Sequence, residues 1–455
     1  MKIEKYANEQ IIHIVHNYTF SFNAKQIIKL LHQPFDIQYC HDKEYKLSFY
    51  NYCLQYHQKW IIFNTLYQSL SCLTEEEYHQ LLQLQDVSLD LKIQFVKLGF
   101  WIDKTKEERQ IYQDILFKIR PYVLSHELGL TILPTLKCNA RCFYCFEHGI
   151  KQTIMNQQTA DHLIQFITSK NIQNIHLTWF GGEPMMNPDI IEYICSCLTN
   201  KKISFTSQMV SNGYLLDNTE IIQKAIVSWH LHKVQITIDG LTKTYNQRKN
   251  YRNPCSNPFA KIIQNIQLLS HFHVQVVIRL NIDRDNLDEM IELCQWLSVV
   301  FKENPYVQVY AEFIRDNPQT NISILSSYEE RKEALEKILP ILIYGNLFSI
   351  ESMFQTYPKI NACMNDHCQA YVINPDGSVC LCENESGNPQ KTIGTIYTKF
   401  EPLFRFLNIS KTCYDCQLLP MCLGGCQYSH SLGLDPCFSI RYSLDSLLKM
   451  YIESR

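Results

Sequence analysis

Apolar and β-branched residues gather in six short runs through the middle of the chain: "LTILPTL" (130–136), "IHLTWF" (175–180), "ISFTSQMV" (203–210), "VQITI" (234–238), "VQVVIRLNI" (274–282) and "VQVYAEFI" (307–314). Runs of this length and composition read as buried strands. Between them apolar positions recur at helical spacing, as in "ADHLIQFITSK" (160–170) and "NLDEMIELCQWLSVVF" (286–301). Asn187 reads as a helix N-cap, with Pro188 at the first helical position. Strand followed by helix, six times over, predicts a parallel sheet with crossover helices and hence a partial or complete β/α barrel.

The chain before residue 125 has a different pattern. "YNYCLQYH" (50–57) and "KWIIFNTLYQSLSCL" (59–73) read as two strands. "TEEEYHQLLQL" opens on Thr74 with Glu77 three residues later, the capping-box signature of a helix start. "LDLKIQFVKLGFWID" (89–103) reads as a helix running into a short strand. Two strands, two helices and a final strand predict a small winged-helix-like α+β module. About the first 45 residues have no assignable pattern.

Composition narrows the class. Hydrophobic residues make up 46% of 455 positions, enough for large cores, and the net charge of −3 draws the chain to neither nucleic acid nor an anionic membrane. "MKIEKYANEQ" lacks the apolar segment of a signal peptide, so the expected location is cytoplasmic. The apolar stretch "ILPILIYGNLFSI" (338–350) is short, contains proline, glycine and asparagine, and predicts no membrane span. Nineteen cysteines in a chain with no secretion signal point to thiolate metal ligands rather than disulfides. Glycine is scarce, at 14 residues, so the pairs Gly181-Gly182 and Gly424-Gly425 mark backbone positions with special demands.

In a barrel of this type the chemistry sits where strands end and βα loops begin. The chemically interesting residues obey that rule. "KCNARCFYCFEHG" (137–149) follows the first strand and sets Cys138, Cys142 and Cys145 at C-x3-C-x2-C spacing. Gly181, Gly182, Glu183 and Pro184 follow the second strand, Ser211 and Asn212 the third, and Asp239 the fourth. Arg279 and Asn281 lie near the end of the fifth. A structural zinc wants four ligands, and three thiols in one loop leave a shell open. A [4Fe–4S] cluster on three thiolates leaves one iron for a small-molecule ligand.

These residues carry a resemblance to the radical SAM enzyme superfamily. It implies that Cys138, Cys142 and Cys145 hold a [4Fe–4S] cluster whose open iron takes S-adenosylmethionine (SAM). It places Tyr144 near the adenine and the Gly181–Pro184 segment at the methionine amino group. Ser211, Asn212, Thr237 and Asp239 lie where related enzymes contact ribose and carboxylate. Arg248 or Lys249, and Arg279 with Asn281 beside it, are candidate carboxylate partners. The implied chemistry is one-electron cleavage of SAM to a 5′-deoxyadenosyl radical that abstracts hydrogen from a substrate. An external reductant such as flavodoxin or ferredoxin would supply the electron.

Toward the C-terminus eight further cysteines stand at ligand spacing: Cys363, Cys368, Cys382, Cys413, Cys416, Cys422, Cys426 and Cys437, with Cys380 a ninth beside Cys382. Spacing alone fits two four-thiolate sites, either zinc or iron–sulfur. The C-x2-C-x5-C-x3-C run and the glycine five residues before Cys382 resemble the SPASM extension of radical SAM enzymes. That resemblance implies two auxiliary [4Fe–4S] clusters, one on Cys363, Cys368, Cys382 and Cys426, the other on Cys413, Cys416, Cys422 and Cys437. The expected domains are 1–125, a peptide-recognition module; 126–350, the barrel; and 351–455, the SPASM domain. The N-terminal module resembles the recognition element of ribosomal-peptide maturases. It implies a precursor peptide whose leader adds as a strand to an edge within "KWIIFNTLYQ" (59–68), and a product that is a thioether, carbon–carbon or ether crosslink or a related oxidation. A second expectation is a sulfatase-type maturase forming formylglycine, with Glu383 as a candidate base. A third is a non-catalytic zinc-binding adaptor.

Overall fold

The computed structural model describes residues 38–84, 86–119, 127–172, 174–315, 322–353, 359–366, 369–398 and 409–454. Cys368 and the unassigned N-terminal stretch up to residue 37 lie outside them. The chain forms two compact units. One comprises residues 1–125, 350–366 and 404–455, and the other 126–349 and 367–403.

In the first unit, β1 (Tyr45–Leu47), β2 (Asn51–Tyr56), β3 (Lys59–Asn64) and β4 (Ser69–Thr74) are followed by helices α1 (Glu75–Gln83) and α2 (Leu89–Lys97), then by β5 (Trp101–Asp103) and α3 (Glu108–Asp114). The Thr74–Glu77 capping box forms as expected. The stretch read as one strand from 59 to 73 is two, turning between Asn64 and Ser69. The turn carries no glycine or proline. Asn64 makes it by accepting hydrogen bonds from the backbone N–H groups of Leu66 and Tyr67 with its own side chain, which is why it escaped notice. The resulting antiparallel sheet has the order β2-β3-β4, while β1 pairs with β5 separately. β3 is therefore a central strand, bonded on both sides. This corrects the expectation of a free edge within 59–64: those backbone groups are already used, and strand addition falls to β2 or β4. Ile62, Leu73, Leu81, Phe95, Phe100 and Trp101 form the core between sheet and helices, and the Trp101 indole donates to the Leu81 carbonyl at 2.9 Å.

The second unit is built on β6 (Glu127–Thr135), β7 (Asn174–Gly181), β8 (Phe205–Ser211), β9 (Leu231–Ile238), β10 (Gln275–Ile282) and β11 (Val307–Phe313), parallel and in sequential order. Helices α4 (Gln157–Ser169), α5 (Pro188–Asn200), α6 (Thr219–Ser228), α7 (Thr242–Lys249), α8 (Pro258–His271), α9 (Leu287–Val300) and α10 (Tyr328–Tyr344) alternate with and follow the strands. This is the expected partial barrel. Pro340 lies inside α10, so the broken apolar stretch is mostly a core helix. No helix among the described residues is long and apolar enough to cross a membrane. Asn187 stands at the start of α5 without a side-chain cap; its amide donates instead to the carbonyls of Pro134 and Met155 and ties β7's loop to β6.

Strand alternation divides the barrel's two faces. Leu177, Trp179, Met209, Val234, Ile236, Ile278 and Leu280 are fully buried. Their alternates Thr178, Gln208, Gln235, Thr237, Arg279 and Tyr310 are half-buried and polar. Gln208 donates to Thr178 at 3.0 Å and Tyr310 to Gln235 at 3.1 Å. Beyond β6 the sheet gains β12 (Ala370–Ile373), parallel to β6, then β13 (Ser378–Cys380) and β14 (Gly394–Thr395) as antiparallel neighbours.

The chain returns to the first unit with two short turns of helix, Lys411–Tyr414 and Leu419–Cys422, and the helix α11 (Ile440–Glu453). Tyr52 donates to Asp445 at 2.5 Å and Tyr56 to Glu453, fastening β2 to α11.

Glu108 gives this unit a pH dependence. Its buried carboxylate accepts from Ser48 Oγ and the Phe49 N–H, both at 2.8 Å. Burial still pushes its pKa up to about 7, against those two hydrogen bonds. A carboxyl with a raised folded-state pKa binds its proton more tightly in the folded protein, so stability is highest at acid pH and falls as pH rises toward and through 7. The loss should total up to about 3 kcal/mol between pH 4.5 and 8, at roughly 1.4 kcal/mol per pH unit. Glu108→Gln should flatten this slope in urea unfolding measured across that range.

Candidate active site

The carboxyl ends of β6 to β10 converge, and their loops are joined by buried hydrogen bonds. Glu183 is the first junction. Its side chain is fully buried and accepts from Ser211 Oγ at 2.8 and 3.1 Å, the Asn212 N–H at 2.9 Å and the Met185 N–H at 3.1 Å. Burial raises its pKa, and these donors oppose that rise. Its backbone N–H donates to the Lys137 carbonyl at 2.9 Å, while the Gly182 N–H reaches Thr135 O at 3.1 Å. Gly181 and Gly182 are required by this approach. Gly181 has φ +104°, and a Cβ on Gly182 would lie 2.3 Å from the Lys137 carbonyl oxygen. The segment 181–183 thus sets the position of Lys137 and, one residue on, Cys138.

The second junction is Lys249. Its ammonium donates to Asp239 Oδ2 at 2.9 Å, Tyr144 Oη at 2.8 Å and Thr237 Oγ1 at 3.0 Å. Tyr144 in turn donates to Asp239 at 2.5 Å and is hydrogen-bonded to Asn281. Burial works against the ammonium's charge, but Asp239 and the neighbouring Cys142 outweigh it and hold its pKa above the usual value. The Lys249 carbonyl accepts the Arg141 N–H at 3.0 Å, so this residue grips the cysteine loop from backbone and side chain. Arg248, its neighbour on α7, turns to Asp283 with Nη2 at 2.5 Å. The two cations that the sequence left as alternatives are therefore both in ion pairs, to different carboxylates.

Cys138, Cys142 and Cys145 are half-buried free thiols on one loop. Burial pushes Cys138 and Cys145 up to about 12 and raises Cys142. Thiols in such a place ionise when a cationic group binds them. The Ala140 N–H points at Cys138 Sγ at 3.4 Å, and Asn212 Nδ2 lies 3.9 Å from the same sulfur. Asp239 Oδ1 is buried with no hydrogen-bond partner. A cradle closed by glycine, three convergent thiols and an orphaned carboxylate oxygen fit an iron–sulfur cluster with a polar ligand beside it. Among the described residues no three His, Cys, Asp or Glu side chains are arranged to hold a single metal ion.

Arg279 lies on the polar face of β10, in register with Thr237 on one side and Tyr310 on the other. It hydrogen-bonds Tyr310, and its Nε has no partner. Glu383, after β13, accepts from Thr131 Oγ1 at 3.3 Å. Burial raises its pKa, against the pull of Thr131 and of Arg279's charge. Cys380 is fully buried on β13, whereas Cys382 is partly accessible. Pro184 begins a helical turn at the base of the β7 loop and is buried with Met185.

The remaining thiols divide between the two units. Cys382 belongs to the barrel unit, and Cys363, Cys413, Cys416, Cys422, Cys426 and Cys437 to the other. Within that unit Cys422 feels the charge of both Cys416 and Cys413, and Cys437 that of Cys422. A Cβ on Gly424 would sit 3.7 Å from Cys413 Sγ. A Cβ on Gly425 would lie 2.0 Å from the Pro436 carbonyl oxygen, so this glycine permits the close approach of the two loops, where the Cys426 N–H donates to Pro436 O at 2.8 Å.

Sequence reading missed Asp283 and Asn286. The Asn286 amide donates to the carbonyls of Asp239 and Asn281, at 3.1 and 2.9 Å, and joins the fourth and fifth strand ends. The signal was present as an aspartate and an asparagine three apart after a strand, the composition of a side-chain-capped turn.

A parallel barrel with three thiols on its first βα loop and a glycine cradle on its second is the arrangement that the resemblance to radical SAM enzymes implies. Residues 132–297 match the model of the Radical SAM superfamily. It is 22% identical over 373 residues to radical SAM cyclopropyl synthase TigE of Paramaledivibacter caminithermalis, covering 74% of this chain and 76% of that protein. It is 19% identical over 359 residues to the cysteine-type anaerobic sulfatase-maturating enzyme of Clostridium perfringens, covering 71% and 95%. Among solved structures, native anSMEcpe with bound AdoMet and Cp18Cys peptide superposes with a TM-score of 0.57 at 18% identity, over 72% of this chain and all of that one. An enzyme of this class displaces the adaptor expectation.

Two substitutions test the junctions. Lys249→Met leaves Asp239 buried without its cation and should destabilise the barrel by about 3–5 kcal/mol. Adding Asp239→Asn should recover much of that loss in chemical unfolding. Gly182→Ala should push the Lys137–Cys138 backbone away and cost about four irons per chain after anaerobic reconstitution, if the loop holds a [4Fe–4S] cluster.

Proposed function

We propose that this enzyme is a peptide maturase: it uses SAM-derived radical chemistry to install a crosslink or related oxidation in a ribosomally made precursor. The observation that carries this reading is a strand-end constellation of the radical SAM kind in a chain that also carries a small N-terminal α+β module. The sulfatase-maturating relative, whose name denotes action on another polypeptide, supports a polypeptide substrate. The remaining roles follow the sequence. The first cluster would lie on Cys138, Cys142 and Cys145, and auxiliary clusters on Cys363, Cys368, Cys382 and Cys426 and on Cys413, Cys416, Cys422 and Cys437. The domain limits would be 1–125, 126–350 and 351–455. A flavodoxin or ferredoxin would act as donor, in the cytoplasm.

When bound, the first cluster and SAM supply an electron and a carbon-centred radical that takes a hydrogen atom from the substrate. This chain's residues do the positioning. Gly181 and Gly182 let the β7 loop close against the Thr135 and Lys137 backbone and so hold the thiol loop in place. Asp239 Oδ1, buried and unpaired, suits a hydroxyl or ammonium donor. Lys249 and Arg248 already hold ion pairs, to Asp239 and Asp283, so Arg279, which is in none of the ion pairs among the described residues, is the better partner for a carboxylate or peptide carbonyl reaching the barrel's polar face. Glu383, protonated more readily than an ordinary glutamate, is placed to hold or accept a proton on that same face. A formylglycine-forming reading needs such a base and remains the second reading on that observation.

The test is anaerobic co-expression with the short peptides encoded beside the gene, followed by mass spectrometry. Loss of two hydrogens from one such peptide supports a crosslinking maturase, and conversion of a Cys or Ser to an aldehyde supports the sulfatase-type reading. Replacing Cys138, Cys142 and Cys145 together with Ala should abolish 5′-deoxyadenosine formation and lower iron from about twelve to about eight per chain. Persistent 5′-deoxyadenosine formation in that triple variant would overturn the proposal.

A further inference from the structure

The first unit brings together two segments far apart in sequence, the N-terminal sheet and the Cys413–Cys422 loops, and the bonds between them come from residues between the thiols. Asp415 pairs with Arg109 at 2.8 Å. Gln417 Nε2 donates to the Asn51 carbonyl at 2.8 Å, and the Gln417 carbonyl accepts from Thr65 Oγ1. Further along, the Tyr112 hydroxyl donates to the Lys359 carbonyl at 2.8 Å, and the Lys359 N–H donates to Pro420 O at the same distance. Asn51 opens β2 and Thr65 opens the β3–β4 turn. Thr65 and Asn51 are both buried. Gln417 thus engages both strands at the open end of the β2–β3 hairpin, one bond from its side chain and one from its backbone.

The loop that presents Gln417 is short, and its two neighbouring thiols lie within it or at its edge. Its internal bonds are short-range, Cys413 N–H to Ser410 O, Cys416 N–H to Cys413 O and Leu419 N–H to Cys416 O, at 2.9, 3.1 and 3.1 Å. Cys413 and Cys416 are half-buried thiols flanking it, and a loop of this kind is fixed by the group its thiolates bind. We propose that the Cys413–Cys416 loop, when its thiolates are loaded, is the support that orders the N-terminal sheet, with Gln417 as the positioning residue. Metal occupancy at one end of the chain then controls the order of a recognition surface at the other. The inference uses the reading that Cys413 and Cys416 are iron ligands, and does not depend on what the module binds.

The experiment is hydrogen–deuterium exchange of the reconstituted full-length protein, read on peptides spanning 51–68, with iron counted in parallel. Gln417→Ala should keep its iron, yet exchange in 51–68 should rise about tenfold, the scale of one or two lost buried hydrogen bonds. Gln417→Glu, which keeps the length but loses the donor, should raise it by a similar factor. Cys413→Ser with Cys416→Ser should lose about four irons and raise exchange in the same peptides, while peptides from α4 and α5 stay unchanged. Unchanged exchange in 51–68 after that iron is lost would overturn the proposal. Unchanged iron in the double-serine protein would instead refute the ligand reading on which its metal half rests.

Discussion

The site depends on one ammonium group in the protein interior. Lys249 is drawn into the barrel by Asp239, at a cost in desolvation that a lone charge could not bear. Its three hydrogen-bond partners come from two places: the cysteine loop through Tyr144, and the end of β9 through Thr237 and Asp239. Because its own carbonyl also receives the Arg141 N–H, helix α7, strand β9 and the thiol loop move as one body. A neutral residue of similar length would pack there but could not draw the tyrosine and the carboxylate together.

Glu183 plays the matching part on the opposite side of the site. It is buried with three donors, and its backbone borders the β6 loop, where only glycine permits the approach. The two carboxylates differ in what they leave open. Glu183 uses both oxygens on the protein itself, whereas Asp239 keeps one oxygen unpaired. The first is a fastener between loops, and the second is a place for a ligand. Arg279 has the same character among the cations, since Arg248 and Lys249 are committed to ion pairs.

Much of this was legible in the sequence because parallel strands buried on one face leave dense apolar runs. All six barrel strands were visible to within a few residues, and the site residues lay at their ends as barrel geometry demands. What escaped had no such contrast. Helix α7, which carries Arg248 and Lys249, is polar nearly throughout, so neither partner could be assigned. The β3–β4 turn is made by Asn64 in an otherwise apolar stretch, so two strands read as one and an edge was expected where a central strand lies. Pro340 sits within α10 because neighbouring apolar side chains hold that helix in the core, an override of local propensity by packing. The tie between Gln417 and the N-terminal sheet spans most of the chain, a separation that no local pattern encodes.

The central claim is that the loop of Cys138, Cys142 and Cys145 holds a cluster whose open iron binds SAM directly. The most direct measurement is electron–nuclear double resonance on the reduced, reconstituted protein with SAM labelled by nitrogen-15 at its amino group and oxygen-17 at its carboxylate. The account predicts resolved hyperfine couplings from both labels, present in wild type and lost when those three cysteines are replaced. A reduced cluster whose spectrum is indifferent to labelled SAM would contradict it.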